Sequence, residues 1–286
     1  MCRFVAYLGI PVLLADILLR PKNSLIQQSM RARETDVPLN GDGFGLGWYA
    51  HDVDITPAIF KSIQPAWNDL NLQHLAEKIR SDCFFAHVRA ASKGGVGEAN
   101  CHPFYYKSLM FMHNGDIGGF DKIKRHLRHK LSDEIYDWIK GQTDSEHFFA
   151  LFLELFHKKK EHFNAVTAAE ALMQTIHEVE KLKQTYGATE ASYIDAVVTD
   201  GKSAVAVRYV STKEETPISL YYAEGSRYEY REGACHVHTG DKDENQGAVL
   251  IVSEKLTNCK AEWKEVPSNH LLLVRADLST DLQPVR

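Results

Sequence analysis

Strand-forming runs on both sides of a long helical block constrain the fold of this chain more than any other feature. Runs of this kind occupy residues 83–89 and 109–113 before the block. The block holds an apolar helix from about 143 to 156, opened by a capping box at 143–146, and an amphipathic helix from 164 to 186 that ends at Gly187. Strands before and after such a block predict two sheets with helices outside them, an α+β layered fold.

The segment after Gly187 turns to strands. Residues 193–199 and 203–210 flank Asp200-Gly201, which predicts a hairpin. Further strands are predicted at 218–223, 234–238, 248–252 and 270–275. Two local predictions concern the first half: a helix over 68–81 behind an Asn68 cap, and a strand over 109–113 that stops at a turn formed by Asn114-Gly115.

Glycines alternate at positions 41, 43, 45 and 47. This spacing predicts a turn that runs into a strand where another backbone passes closely. The segment has neither the GxGxxG spacing nor the Gly-Lys-Ser/Thr ending of nucleotide-binding loops. We therefore expect no nucleotide here and no cofactor elsewhere.

Bulk composition narrows the classes of partner. The 286 residues carry a net charge of −5, which gives no electrostatic footprint for nucleic acid or an anionic membrane. No run approaches the roughly 20 apolar residues of a membrane span. Asp16 interrupts the first apolar stretch and no small-residue cleavage site follows, so no signal peptide is predicted. Five cysteines without a CxxC pair indicate a reducing compartment, and we expect a cytoplasmic protein.

Cys2 is the first residue of the chain that can act as a nucleophile. If Met1 is removed, Cys2 carries a thiol and a free α-amine on one residue. The α-amine has a reference pKa of about 7.7–8.0 and can act as a base near neutral pH, beside a thiol that is a strong nucleophile once ionised. With Met1 attached, the amine is part of a peptide bond and this base is lost.

Three other positions supply what acyl transfer requires. Asn114 and Gly115 follow a strand and can present N–H groups to an oxyanion, although Asn-Gly is commonly only a turn. Arg89 ends a buried-looking strand and suits either a substrate carboxylate or an internal salt bridge. Asp144, at the start of a helix, suits either a substrate ammonium or a role in helix capping.

Six segments, taken together and in this order, resemble class II glutamine amidotransferases. They are residues 1–9, 40–49, 85–92, 100–104, 112–115 and 143–147. The resemblance is strong over residues 2–156 and looser through 251–256 and 266–270. It implies an N-terminal-nucleophile hydrolase fold, a four-layer αββα sandwich with two antiparallel sheets.

The resemblance also implies the catalytic roles. Cys2 is expected to be the nucleophile, with its own α-amine as base after Met1 is removed. Asn114 and Gly115 are expected to form the oxyanion hole. A bridging water is plausible between the thiol and amine, since the geometry within one residue is too tight for direct proton transfer.

The binding roles follow from the same resemblance. Arg89 is expected to hold the α-carboxylate of a γ-glutamyl substrate, and Asp144 its α-ammonium. Ser92 stands where the family often has a hydroxyl near the carboxylate, and His102 matches a recurrent histidine with a supporting role. Ala90 departs from the family pattern, because sugar-forming members have an aromatic residue after the arginine.

We expect residues 2–286 to form a single glutamine amidotransferase type 2 domain, with the strands of the second sheet mainly in 190–286. Nothing is left over for a synthase domain, so the chain is similar to the free-standing branch that acts on glutathione or on γ-glutamyl intermediates of ergothioneine formation. The expected activity is hydrolysis of a γ-glutamyl amide to glutamate and ammonia or an amine.

Three alternatives stay open at this stage. The chain can be a glutaminase subunit that delivers ammonia to a separate synthase, with a partner protein. It can be a metal-dependent hydrolase that uses His236 and His238, two imidazoles on one face of a strand, although with 14 histidines such a pair arises easily and we expect no metal. It can also be a scaffold that binds a partner without turnover, which retention of Met1 would favour.

Overall fold

The computed structural model describes residues 2–91, 94–231, 234–238, 247–257 and 263–285, with the backbone alone at 227–231 and 234–238. The helices are α1 Ala15–Leu18, α2 Leu25–Arg31, α3 Leu70–Ala76, α4 Phe120–Arg128, α5 Asp133–Trp138, α6 Asp144–Lys159 and α7 Ala165–Tyr186. The strands of the first half are β1 Arg3–Leu13, β2 Phe44–Trp48, β3 Ala58–Ser62, β4 Arg80–Val88, β5 Phe104–Tyr106 and β6 Leu109–Asp116. Those of the second half are β7 Tyr193–Thr199, β8 Ala204–Val210, β9 Tyr221–Gly225, β10 Arg227–Arg231, β11 Ala234–His238, β12 Ala248–Val252, β13 Lys264–Glu265, β14 His270–Val274 and β15 Thr280–Pro284.

The strands form two large antiparallel sheets and one small ribbon. Sheet A has the order β13-β9-β12-β1-β4-β2-β3, and sheet B has the order β15-β14-β8-β7-β6-β5. Strands β10 and β11 pair only with each other. Strand β1 lies in the centre of sheet A, between β12 and β4, so the N-terminal segment is held on both sides.

Three apolar layers hold the sheets and helices together. One lies between α1–α3 and sheet A, a second between the two sheets, and a third between sheet B and α4–α7. Side chains of β1 alternate accordingly: Val5 and Tyr7 face the helices, whereas Phe4, Ala6 and Leu8 face sheet B. The four layers confirm the predicted αββα sandwich.

The alternating glycines allow the two sheets to approach closely. Phe44 and Leu46 of β2 face the helices, so Gly45 and Gly47 face sheet B. A Cβ on Gly45 would overlap the carbonyl of His102, and one on Gly47 would lie 2.5 Å from the sulfur of Met110. The prediction of a strand passed closely by another backbone is therefore confirmed at Gly45.

Several local predictions are confirmed. The hairpin of β7 and β8 forms, and α7 begins after an Asn164 cap and ends at Gly187, which has a φ of 69°. Strand β12 has the predicted bounds. The last strand before the ribbon begins at Tyr221 rather than 218.

Three local predictions are wrong. The cap of α3 is Asp69, whose side chain accepts a hydrogen bond from Leu72 N–H at 2.8 Å, and not Asn68; the helix also ends at Ala76 rather than 81, because β4 begins at Arg80. Only half of the capping box at α6 forms: Thr143 accepts from Glu146 N–H, whereas the Glu146 carboxylate accepts from two backbone N–H groups of the preceding loop. The third concerns Asn114-Gly115 and is described with the site. None of the helices in the described ranges combines the length and apolar composition needed to cross a lipid bilayer.

Candidate active site

Cys2 directly precedes β1 and is half-buried at one end of the gap between the sheets. Because Phe4 and Ala6 face sheet B, the alternation of side chains directs Cys2 the same way. Ala90 N–H donates to Cys2 Sγ at 3.4 Å, and the sulfur also lies 3.5 Å from the Ala90 carbonyl oxygen. Burial raises the pKa of the Cys2 thiol, although the Ala90 N–H and the positive charges of Arg89 and Arg3 act in the opposite direction.

A buried ion pair holds the other side of Cys2. Arg3 is fully buried, and its guanidinium donates to the Cys2 carbonyl at 2.8 Å, to the Glu34 carbonyl at 2.7 Å and to the Glu254 carboxylate at 3.3 Å. Glu254 in turn accepts from Asn23 Nδ2 at 3.0 Å and from the backbone N–H groups of Arg33 and Glu34. The sequence reasoning missed this network; its one local signal is a charged residue inside an apolar strand.

Arg89 follows the last residue of β4 and is fixed through its backbone. Its N–H donates to the Gly43 carbonyl at 2.9 Å, and its carbonyl accepts from Asp42 N–H at 3.0 Å. The side chain is only 3% exposed, and Nη1 donates to the Gly95 carbonyl at 2.7 Å. Strands β1 and β4 are antiparallel, so Arg89, which follows β4, lies at the same end of sheet A as Cys2, which precedes β1.

Asn114 and Gly115 lie within β6, not in a turn, which corrects the sequence prediction. Both pair with β7, Asn114 opposite Asp195 and Gly115 opposite Ile194. Gly115 has a φ of 155°, and a Cβ there would overlap the Tyr193 carbonyl of β7. Glycine is therefore needed for a close approach inside the sheet.

The side chain of Asn114 is fully buried and faces sheet A. Neither its Oδ1 nor its Nδ2 has a hydrogen-bond partner among the described residues. Buried amides are normally paired, so an orphaned one usually has a function or binds a molecule that the protein alone does not provide. Strand β6 packs on β1 and β4, the strands that carry Cys2 and Arg89.

Asp144 is the first residue of α6 and is 5% exposed. Its carboxylate accepts from Ile117 N–H at 2.8 Å and from Ser145 N–H at 2.9 Å. The first of these bonds ties the start of α6 to the segment that leaves β6, immediately after Asn114 and Gly115. The predicted role of Asp144 toward an ammonium group stays a prediction.

A group of buried histidines adjoins these residues. The rings of His102 and His87 have centroids 4.2 Å apart. Burial lowers the pKa of His87 to about 3 and that of His102 well below its usual value. Both rings are thus neutral at physiological pH, so His102 has no charge to offer a substrate, and its predicted supporting role stays a prediction.

Three predicted positions have side chains outside the part of the chain that the structure describes. Ser92 falls between the described ranges 2–91 and 94–231. His236 and His238 lie in β11, whose side chains are not described, so the alternative metal pair stays a prediction.

Comparison with known proteins places these residues in context. The family model of class II glutamine amidotransferases matches residues 22–283. A probable glutamine amidotransferase of Saccharomyces cerevisiae, DUG3, is 40% identical over 294 residues, which covers 96% of this chain and 82% of the yeast protein. The γ-glutamyl-hercynylcysteine sulfoxide hydrolase of Mycolicibacterium smegmatis is 37% identical over 117 residues, 40% of this chain and 51% of that protein.

Solved structures show the same architecture. A glutamine aminotransferase class-II domain protein from Silicibacter pomeroyi superimposes with a TM-score of 0.68 and 27% identity, covering both chains completely. The glutamine phosphoribosylpyrophosphate amidotransferase of B. subtilis superimposes with a TM-score of 0.61 and 14% identity over 49% of its own length. These likenesses confirm the predicted N-terminal-nucleophile fold.

Proposed function

Because this chain belongs to the class II glutamine amidotransferases, a family of enzymes, we propose that it hydrolyses γ-glutamyl amides with the Cys2 thiol as nucleophile. The observation that supports this most directly is spatial. Cys2 and the buried Arg89 occupy one end of sheet A, and the unpaired Asn114 carboxamide faces that sheet from β6. A nucleophile, a fixed cation and an unoccupied amide donor are the parts that γ-glutamyl transfer needs.

The first chemical step forms a thioester. The sulfur of Cys2 attacks the γ-carbonyl carbon, and the thiol proton passes to the Cys2 α-amine through one water. The carbonyl oxygen becomes an oxyanion that the Asn114 side-chain N–H and the Gly115 N–H stabilise. Collapse of this intermediate breaks the C–N bond, and the leaving amine takes the proton from the α-ammonium.

The second step hydrolyses the thioester. The α-amine removes a proton from water, the hydroxide attacks the thioester carbonyl, and the C–S bond breaks to release glutamate, while the departing thiolate takes the proton back from the α-ammonium. Burial raises the pKa of the Cys2 thiol while Met1 is attached, and a protonated thiol needs a base such as the α-amine that loss of Met1 frees. The proposal therefore requires that Met1 is removed.

We propose γ-glutamyl amides as the substrate class because the candidate binding residues suit the glutamyl half of the molecule. The Arg89 guanidinium is suited to the α-carboxylate and the Asp144 carboxylate to the α-ammonium, which are common to glutamine, glutathione and other γ-glutamyl amides. One relative is named as a hydrolase of γ-glutamyl-hercynylcysteine sulfoxide, and the match spans about half of that protein's length. We propose further that residues 2–286 form one amidotransferase domain. Three free cysteines among the described residues suit a cytoplasmic protein.

A panel of γ-glutamyl amides tests the proposal. Purified protein whose intact mass shows loss of Met1 is incubated with glutamine, glutathione and γ-glutamyl dipeptides, and released glutamate is measured. Cys2→Ala is expected to abolish release, whereas Cys83→Ala, at a buried cysteine in the middle of β4, should retain it. Arg89→Lys is expected to raise KM more than it lowers kcat, because an ammonium cannot replace a two-pronged guanidinium.

Near-normal release by Cys2→Ala would refute the mechanism. Weak glutamine hydrolysis that a separate synthase subunit stimulates would instead identify the chain as an ammonia-delivering subunit. Activity that a chelator removes would favour the alternative at His236 and His238.

A further inference from the structure

A second buried polar side chain adjoins Asn114. Asp195 lies directly opposite Asn114 in the β6–β7 pair. Met112 and Val197, two residues away on each strand, both face sheet A, so Asn114 and Asp195 face it as well. Side chains directly opposite each other on antiparallel strands have Cβ atoms about 4.5–5.5 Å apart, which is within reach of a hydrogen bond between a carboxyl and a carboxamide or of a bridging water.

Asp195 is as poorly satisfied as Asn114. Its side chain is fully buried, and neither carboxyl oxygen has a hydrogen-bond partner among the described residues. With the two amide atoms of Asn114, this makes four orphaned polar atoms on adjacent strands. Such a concentration is unusual, because buried polar groups are nearly always paired, and it marks a place where the protein keeps polar groups for a purpose other than stability.

The neighbouring arginine does not provide a close partner for Asp195. Arg208 lies opposite Asp195 on β8, but its guanidinium donates to the carbonyls of Ile218 and Val266 and to the Glu265 carboxylate, all at 2.6–2.7 Å. Burial raises the pKa of Asp195 well above its usual value, and the charges of Arg208 and Arg3 only oppose this shift. Burial therefore favours the neutral carboxyl group, which has an O–H to donate.

An oxyanion hole built on an asparagine needs such a donor. Rotation of the carboxamide by 180° exchanges its N–H group for its oxygen, and only the N–H stabilises an oxyanion. A donor against Oδ1 favours the productive orientation. An ionised carboxylate at the same place would attract Nδ2 and favour the opposite orientation.

We propose that Asp195 is a positioning residue for Asn114: its carboxyl O–H donates to Asn114 Oδ1, directly or through one water, and directs the Nδ2–H group toward the carbonyl under attack by Cys2. This inference rests on the proposed γ-glutamyl hydrolysis. It assigns to β7 a residue that no sequence motif indicates.

Two substitutions of Asp195 test whether an uncharged donor is enough to position Asn114. Asp195→Asn keeps an N–H donor of similar shape, so kcat should stay within about threefold, whereas Asp195→Ala should lower kcat about 10–100-fold, a part of the loss expected for a missing oxyanion-hole donor. KM for glutamine or a γ-glutamyl amide should stay within about twofold in both, because Asp195 acts only on the developing oxyanion. Val197→Ala, on the same strand and face without polar atoms, controls for loss of packing and should retain kcat.

A double substitution shows whether Asp195 acts through Asn114. Asn114→Ala combined with Asp195→Ala should be no slower than Asn114→Ala alone, since coupled residues are not additive. Loss of kcat by Asp195→Asn as severe as by Asp195→Ala, or a further loss in the double variant, would overturn the proposal.

A pH profile gives a third activity readout. The charged groups that act on the carboxyl are Arg208, directly opposite it on β8, and Arg3 of β1, and the Asn114 amide lies opposite it on β6. Ionisation of Asp195 turns the amide, so kcat of the wild type should fall at alkaline pH with a limb that Asp195→Asn lacks. Identical alkaline limbs in both proteins would contradict the role.

Infrared spectroscopy tests the pair without activity. The substrate-free wild type should show the carbonyl band of a protonated carboxylic acid at neutral pH, Asp195→Asn should lack this band, and Asn114→Ala should shift it. If the wild type released no glutamate from any γ-glutamyl amide, the proposed function would fail, and this band would still report on the Asp195–Asn114 bond. A band that is absent from the wild type, or that Asn114→Ala leaves unshifted, would overturn the inference.

Discussion

Glu254→Gln removes the charge that compensates Arg3 while it preserves the shape of the side chain. The Glu254 Oε2 atom accepts from Arg3 Nε and from the N–H groups of Arg33 and Glu34, and Oε1 accepts from Asn23 Nδ2. A glutamine has one oxygen for these two positions. Whichever way its amide is turned, an NH₂ group meets at least one of the donors, and the Arg3 guanidinium is left buried without a counter-ion.

The cost follows from the burial of the pair. The side chains of Arg3 and Glu254 are 0% and 2% exposed. Removing one partner of a buried ion pair typically costs about 3–5 kcal/mol. With an unfolding entropy of about 2.1 cal/mol/K per residue, a chain of 286 residues has roughly 0.6 kcal/mol/K in total, so Tm should fall by about 5–8 °C.

Differential scanning calorimetry measures this shift, and a second glutamate provides the control. Glu265 also pairs with a buried arginine, Arg208, at 2.6 Å, but its own side chain is 56% exposed. Water can replace the Glu265 carboxylate, so Glu265→Gln should cost about 1 kcal/mol or less. Equal shifts in the two variants, or a Tm of Glu254→Gln within 1 °C (about 0.6 kcal/mol) of the wild type, would refute the reasoning.

Three further outcomes are expected. Asn114→Ala should lower kcat about 10²–10³-fold with little change in KM, because an oxyanion-hole donor acts in the transition state. Steady-state glutamate release measures this, and an unchanged kcat would exclude that role. Burial raises the pKa of the Cys2 thiol while Met1 is attached. In protein that retains Met1, alkylation of Cys2 by iodoacetamide, followed by peptide mapping, should therefore have a midpoint above the value of about 8.5 for a free cysteine, and a midpoint at or below it would contradict the structure. Gly45→Ala places a methyl group against the His102 carbonyl and should lower the free energy of unfolding by about 1–3 kcal/mol, which thermal unfolding measures. In the control Gly97→Ala, the added Cβ has its nearest neighbouring atom 4.0 Å away, so Tm should be nearly unchanged.

The residues with chemical roles could be selected from the sequence because they occur in short segments whose order is informative. Cys2, Arg89 and Asn114 are each ambiguous by themselves, and the structure places Cys2 and Arg89 at one end of sheet A and Asn114 on β6, a strand that packs on β1 and β4. The layered fold was predictable for a related reason. Alternation of apolar residues in strands and a helical block between them leave few ways to bury both faces of two sheets.

Other features depend on partners that are distant in the chain. The Asn114-Gly115 pair resembles a turn locally, but β7 continues the pairing past it, and Gly115 serves the approach of the Tyr193 carbonyl. The Arg3–Glu254 pair joins residues at opposite ends of the sequence, which no local pattern indicates. Asp195 also depends on a distant partner, because its proposed role comes from Asn114 on the neighbouring strand.

The central position of β1 has a consequence for synthesis on the ribosome. One neighbour of β1 is β12, which ends at Val252. Strand β1 therefore cannot complete its pairing until most of the chain has emerged from the ribosome. At roughly 5–20 residues per second, about 10–50 s pass between translation of Cys2 and of β12. Throughout that interval the nascent N-terminus is unpaired on one side and accessible to an aminopeptidase. The late arrival of β12 thus leaves time for Met1 to be removed before Cys2 is enclosed.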